Sequence, residues 1–397
     1  MPSPVYQLPP ATTNARIAAL AKGVALPLAV ALGLALLMHL AVRPNLNRYE
    51  AGLAMGVCIN VMLAVSLNIV NGFTGQFSMG HAGFLAVGGY AAGIVSYYGS
   101  IAIFGDAETH GGVLSSKSLN APIPTAWFAA GELLFLGSLI VGGIVAGIVG
   151  FLVGLPSLRL RGDYLAIVTL GFGEIVRVTI QQTRPVLDPG ETLVATPWYV
   201  LPTHIGGALG FSGTPKYTSL FWVTLGVVLT VTFAYRLKTS TFGRAMIAIR
   251  EDEIAAEAMG VPTTKYKVRA FVIAAFIAGV AGGLYGHFKS MNPNEVGFVR
   301  SFEFVTMVVL GGLGSISGAA IAAVLVTLLP EWLRFMADYR MMVWSLALVL
   351  MMIFRPTGLL GVKEIWEVRF RSPKAAPAKP GGGGGGGAGG GGGGGGP

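Results

Sequence analysis

Apolar runs long enough to cross a bilayer recur along the whole chain, and they constrain its fold more than any motif does. They lie near 24–42, 51–70, 82–104, 133–155, 164–182, 218–235, 268–288, 303–330 and 341–354. A helix needs about 20 apolar residues to cross roughly 30 Å of hydrocarbon. Only 11% of the 397 residues are charged and the mean hydropathy is +0.68, whereas soluble domains carry roughly 25% charged residues. In lipid every backbone polar group must be satisfied within the protein, which leaves helices as the reading for runs of this length. The sequence therefore predicts an all-α, polytopic integral membrane protein of about nine or ten helical segments.

The net charge of +9 is unevenly spread. Basic residues gather at Arg16 and Lys22, at Arg159 and Arg161, between Arg236 and Arg269, and from Arg355 to Lys379. Four basic clusters at alternate ends of the apolar runs follow the positive-inside bias and argue against a nucleic-acid surface. They place both termini in the cytoplasm. The first run is flanked like a signal peptide, but it exceeds a signal-peptide core and has no small-residue cleavage site after Arg43. It reads as a retained first helix. The single cysteine, Cys58, lies mid-segment as a small buried hydrophobe and supplies no disulfide framework.

Two polar interruptions stand inside this apolar frame. NGFTGQFSMGHAGFLAVGGY at 71–90 and GGLGSISG at 311–318 carry glycines and hydroxyls but almost no charge. Glycine at that density weakens a helix. With a break in 303–330, Phe304–Leu310 descends part-way and Ser317–Leu329 returns, which keeps the basic tail on the cytoplasmic side. Broken helices at membrane depth occur where protein or a water-filled cavity covers them, and two at comparable places suggest two weakly repeated halves around a path.

The third anomaly is polar and long. Residues 240–268, STFGRAMIAIREDEIAAEAMGVPTTKYKV, form a charge-dense loop on the basic side. From Asp252 it reads as a short helix, capped by Asp252, with Ile254, Ala255, Ala258 and Met259 as a small apolar face and Gly260 then Pro262 as the stop. A short helix with small side chains suits docking into a cleft on a soluble partner. No G-x-x-x-x-G-K-[ST] phosphate loop occurs anywhere, and no H-E-x-x-H, C-x-x-C or G-x-S-x-G motif gives catalysis a seat.

Five stretches taken in order resemble the LivM-type membrane permeases of branched-chain amino acid ABC importers. They are NIVNGFTGQFSMGHAGFLAVGGYAA (68–92), PSLRLRGDYLAIVTLGFGEIVR (156–177), GRAMIAIREDEIAAEAMGV (243–261), VLGGLGSISG (309–318) and FRPTGLLG (354–361). The resemblance implies a subunit of the bacterial inner membrane that carries Leu, Ile or Val and has no ATPase of its own. It also implies a second, related permease, two cytoplasmic ABC ATPases and a periplasmic binding protein as partners. Urea, short amides and other amino acids are alternative cargoes within the class. A self-sufficient secondary transporter or channel is the rival from another class.

The importer coupling motif E-A-A-x-x-x-G falls on residues 254–260, where Ala255, Ala256 and Gly260 match and Ile254 stands in place of the glutamate. The glycine-rich T-G-G segment of the outer loop after the fifth helix is replaced by RPVLDPGETLVATPW.

Asp252, Ala255, Ala256 and Gly260 are thus the expected ATPase-coupling residues, and most of the mixed charge from Arg244 to Glu253 is the solvated face of that loop. Thr74, Gly75, Gln76, Ser78, His81, Gly311, Gly312, Gly314 and Ser315 are candidates for the translocation path. Two roles fit the side chains among them: hydrogen bonds to a passing zwitterion, or satisfaction of the backbone of a broken helix. Glu174 and Arg177 share one helix face within or near the membrane, where ionisable groups either mark function or pair to hold helices together. Asn60 and Asn68 read as glue between helices, and His287 as an interfacial side chain. Neither a metal nor a cofactor is expected. The domains divide as a cytoplasmic 1–23, a permease domain 24–361 containing the coupling loop 236–267, and a basic then glycine-rich tail 362–397.

Overall fold

The computed structural model describes residues 25, 27–115, 129–157, 163–188, 196–336, 339–355, 358, 359, 361 and 364. The N-terminal segment, the Arg159 and Arg161 cluster and the glycine-rich tail lie outside the described residues. The described residues are helical, with only two isolated backbone bridges, Arg184 to His204 and Phe211 to Met291.

In chain order the helices are α1 (Pro27–Asn45), α2 (Arg48–Asn68), α3 (His81–Phe104), α4 (Ala130–Ser157), α5 (Asp163–Gln181) and α6 (Leu220–Thr239). They are followed by α7 (Thr241–Glu251), α8 (Glu253–Ala258), α9 (Thr263–Phe288), α10 (Phe298–Gly311), α11 (Ile316–Trp332) and α12 (Arg340–Phe354). Among the described residues, eight helical spans are long and apolar enough to cross a membrane. α10 and α12 complete the ten segments of the bundle, with 14 and 15 residues. The all-α, polytopic expectation holds.

Local chemistry sets the element ends. Asn47 and Glu50 form a capping box at the start of α2, with the Asn47 backbone N–H donating to Glu50 Oε2 at 2.9 Å. α2 ends in a π-turn, Ile69–Phe73, before an irregular stretch leads to α3. α10 and α11 are separated by residues 312–315, so the second interruption is a real break.

α3, α4 and α9 make the tightest packing, because glycines face one another across it. A methyl group on Gly88 would strike the Gly279 backbone, and one on Gly142 would strike the Gly88 carbonyl. Small residues let helix backbones approach where lipid supplies no hydrophobic drive between helices. Phe84, Phe271, Phe135 and Tyr217 fill the surrounding core. Cys58 is half-buried against that core, less enclosed than its mid-segment position suggests.

His287 corrects an expectation. It is fully buried, its two ring nitrogens lying 2.7 Å from the Gly283 carbonyl and 2.7 Å from Ser96 Oγ. The hydroxyl that satisfies it belongs to α3, so its place near the end of α9 does not bring it to an interface. Asn60 and Asn68 do join helices: Asn60 donates to Thr327 on α11 and accepts from Arg300 on α10.

Candidate functional site

The site forms at the end of the bundle that carries residues 240–262, and α7 and α8 build its outer part. Ser240 caps α7 by accepting from the Gly243 N–H at 3.1 Å, and Met246 and Ile249 turn inward. Asp252 is extended, which ends α7, and its Oδ1 accepts from the N–H groups of Ile254 and Ala255 at 2.9 and 3.0 Å, which starts α8. Gly260 then adopts a left-handed φ of +81° and Val261 N–H returns to the Ala256 carbonyl, closing the helix.

Two contacts fasten α8 to α9. Lys267 Nζ lies 2.6 Å from Glu253 Oε1, and Thr263 Oγ1 donates to Glu257 Oε1 at 3.0 Å. Ile254 and Met259 are 74% and 84% exposed, with Ala255, Ala258 and Gly260 also open, while Ala256 is buried against its own chain. The outward face is therefore Ile254, Ala255, Ala258, Met259 and Gly260, and Ala256 lies beneath it.

Both interruptions converge on the same end. The Asn68 side chain accepts from Gly314 N–H at 2.9 Å and donates to the Ser315 carbonyl at 3.0 Å, tying the end of α2 to the α10–α11 break. Arg250, at the end of α7, donates from Nη1 to the Gly72 carbonyl at 2.8 Å. Its side chain also lies where a methyl on Gly75 or Gly314 would fall, and those glycines have φ of +69° and +88°. Each of the two glycines is thus required by its backbone and by the close approach of Arg250.

Lys238, at the end of α6, donates to the Gly314 carbonyl at 2.8 Å and pairs with Glu364 at 2.6 Å. Glu364 is buried and accepts from the N–H groups of Ile316 and Ser317, each at 3.0 Å, and from Ser317 Oγ at 2.6 Å. A carboxylate at those N–H groups complements the start of α11. Burial raises the Glu364 carboxyl, but Lys238, the Ser317 hydroxyl and the two N–H groups outweigh it and hold it below the usual carboxylate range. The FRPTGLLG segment supports the same break, since Leu359 N–H donates to the Leu310 carbonyl at 2.8 Å and Gly358 packs on Gly312.

The other path candidates are satisfied internally. Thr74 Oγ1 donates to the Val70 carbonyl at 2.7 Å and reaches Gln76 Oε1 at 3.3 Å. The Ser78 N–H donates to Asn71 Oδ1, and His81 Nε2 lies 2.6 Å from Ser66 Oγ. All four side chains are buried, and of this segment only Gly75 is exposed. On α10 and α11, Gly311 packs against Gly318, Gly312 turns at a φ of +105°, and Ser315 caps α11 by accepting from Gly318 N–H at 3.0 Å.

Glu174 and Arg177 pair at 2.6 Å but stand apart from this site. The second Glu174 oxygen accepts from Phe298 N–H at 2.7 Å, so the pair fixes the start of α10 against α5.

Sequence reasoning missed three members of the site. Lys238 and Glu364 lie 126 positions apart and carry no motif. Arg250 reads as a solvated charge because its acceptor is a backbone carbonyl. The only available signal was position, a lysine and an arginine at the ends of apolar stretches facing glycine-rich breaks.

Ten bundle segments, with two unwound stretches braced by a charged loop at one end, define a multi-pass helical membrane protein of the transport type. A family model described as branched-chain amino acid transport system, permease component, matches residues 49–355, and the chain belongs to that family. It is 33% identical over 331 residues to the high-affinity branched-chain amino acid transport permease LivM of Salmonella typhimurium, covering 79% of this chain and 70% of the relative. Against a probable LivM of Methanocaldococcus jannaschii the identity is 28% over 77% of this chain and 91% of the relative. The LivH permease of Salmonella typhimurium is 31% identical over 178 residues, 42% of this chain and 57% of the relative. No solved structure matches the chain.

Proposed function

We propose that this chain is a membrane-spanning subunit of an ATP-driven importer that moves branched-chain amino acids into the cytoplasm of a bacterial cell. Its partners are a second, related permease, two cytoplasmic ABC ATPases and a periplasmic binding protein. The 240–262 end faces the cytoplasm, and α8 docks into a cleft on one ATPase through Ile254, Ala255, Ala258, Met259 and Gly260. The chain brings no phosphate-binding loop, so ATP hydrolysis resides in the partner.

The observation that carries this reading is mechanical. α8 offers an apolar face outward; Arg250 bonds the first break at the Gly72 carbonyl, and Asn68 at the end of α2 bonds the second at Gly314. A push on α8 therefore reaches the segments where the helices are interrupted, and alternating access follows as the two permeases rock about the path between them. The Leu, Ile or Val cargo rests on the names of the relatives.

The test is uptake of labelled Leu, Ile and Val by the complex reconstituted in vesicles with ATPases and binding protein. Uptake that persists without the ATPases refutes the reading. Replacement of Gly260 by leucine gives a narrower test. A side chain there meets open space and its left-handed φ of +81° costs a leucine only about 1–2 kcal/mol, so the permease still folds, as thermal unfolding will verify, while uptake falls and ATP hydrolysis becomes uncoupled. Unchanged uptake would remove α8 as the coupling element.

A further inference from the structure

A cavity of about 440 Å³ lies between α2, α6 and α9, away from the loop and both breaks. Met62 is at its floor, Leu229 and Phe233 form one wall, and Ile273, Phe276 and Val280 form the other. Thr230 is the only lining residue with a polar side chain. Leu229, Phe233 and Phe276 are each more than a third exposed, so the cavity opens sideways from the bundle. Both walls belong to helices long and apolar enough to cross a bilayer, which places the opening at hydrocarbon depth.

The two walls continue into positive charge. On α6, Leu229, Phe233 and Arg236 follow one helical stripe toward the 240–262 end. On α9, Val280, Phe276, Ile273, Arg269 and Lys265 follow another toward the same end. All three basic residues are exposed. Among the described residues no ion pair holds Arg269 or Lys265. Two carboxylates of the loop are engaged elsewhere, Glu253 by Lys267 and Glu257 by Thr263.

We propose that this groove is a binding site for one anionic glycerophospholipid of the leaflet on the 240–262 side. An acyl chain fills the cavity between α6 and α9, and the phosphate lies against Arg269, flanked by Arg236 and Lys265. The occupant follows from the chemistry of the groove, an apolar slot at membrane depth that ends in guanidinium and ammonium groups at headgroup level. A zwitterionic lipid would fill the slot and leave the Arg269 and Lys265 charges unanswered.

The test is native mass spectrometry of the full permease assembly, delipidated and titrated with phosphatidylglycerol or phosphatidylcholine of equal chain length. One phosphatidylglycerol per copy of this chain is retained, at least tenfold more tightly than phosphatidylcholine. Arg269→Gln removes the preference between headgroups, and Arg269→Lys keeps it. Leu229→Trp, which fills the slot, lowers retention of both lipids. Because Arg269 and Leu229 are exposed, all three variants fold, as matched thermal unfolding profiles will verify. Equal retention of the two lipids, or an unaltered preference in Arg269→Gln, overturns the proposal. So does an assembly that retains no phosphatidylglycerol on this chain, which would make the groove a subunit contact.

Discussion

Replacing Arg250 by glutamine isolates the link between the loop and the membrane. In the native chain Nη1 donates to the buried Gly72 carbonyl at 2.8 Å, while Nη2 and Nε pair with Glu251, whose side chain is 67% exposed. A hydrogen bond from a charged donor contributes about 1.5–3 kcal/mol, and an exposed pair about 0–1 kcal/mol. The shorter glutamine forfeits the first contact and leaves the Gly72 carbonyl without its donor. With about 1.4 kcal/mol per tenfold, transport coupled to ATP hydrolysis falls about tenfold to a hundredfold. ATP hydrolysis by the assembled complex stays within about twofold, because α8 keeps its own cap and braces. Glu251→Gln serves as the control and changes uptake little. The assay measures labelled leucine uptake and phosphate release on the same vesicles. If Arg250→Gln transports as the native chain does, the contact to Gly72 does not transmit the stroke and the mechanical argument fails.

Four further outcomes follow from the same geometry. Glu364→Gln weakens the brace on α11 and destabilises the chain by about 1–3 kcal/mol, read by denaturant titration in micelles. Because Glu364 is held below its ordinary value near 4.5, its contribution is present above that value and is lost as pH falls through the depressed one. The glutamine variant is less stable at pH 7 and loses less on acidification. Lys216, in the loop before α6, has its ammonium pushed down to about 8 by burial. Stability should therefore rise between pH 8 and pH 10, where the unfolded chain binds the extra proton, and Lys216→Met should abolish that rise and stabilise the protein at pH 7. Asp252→Ala removes the cap of α8 and lowers stability by about 1 kcal/mol, with a larger loss in ATPase binding, measured by co-purification. Met259→Asp weakens ATPase binding without altering thermal unfolding of the free chain.

The parts of the fold legible in the sequence are those written in local pattern. The apolar runs fix most of the helices, the Asp252 cap and Gly260 stop bound α8, and the glycines of 311–318 mark the second break. α7 was hidden because its inward residues Phe242, Met246 and Ile249 keep helical spacing among charges that read as a solvated loop. The start of α10 at Phe298, five residues before the apolar run from 303, depends on Glu174 from another helix reaching its N–H. Lys238, Arg250 and Glu364 escaped because their partners are backbone groups or side chains far along the chain. A backbone carbonyl leaves no letter in a sequence. The same holds for His287, whose burial depends on a serine of α3.

Asn68 gives the two interruptions a common fate. One amide side chain holds Gly314 and Ser315 to the end of α2, so the two unwound segments cannot separate while it keeps both hydrogen bonds. Parting them would break two buried hydrogen bonds at about 1 kcal/mol or more each, while Lys238 on α6 holds the Gly314 carbonyl from a third helix. The two interruptions are therefore held to shift together, like a single jaw rather than a pair. On the proposed importer reading, opening and closing then fall to the seam with the second permease.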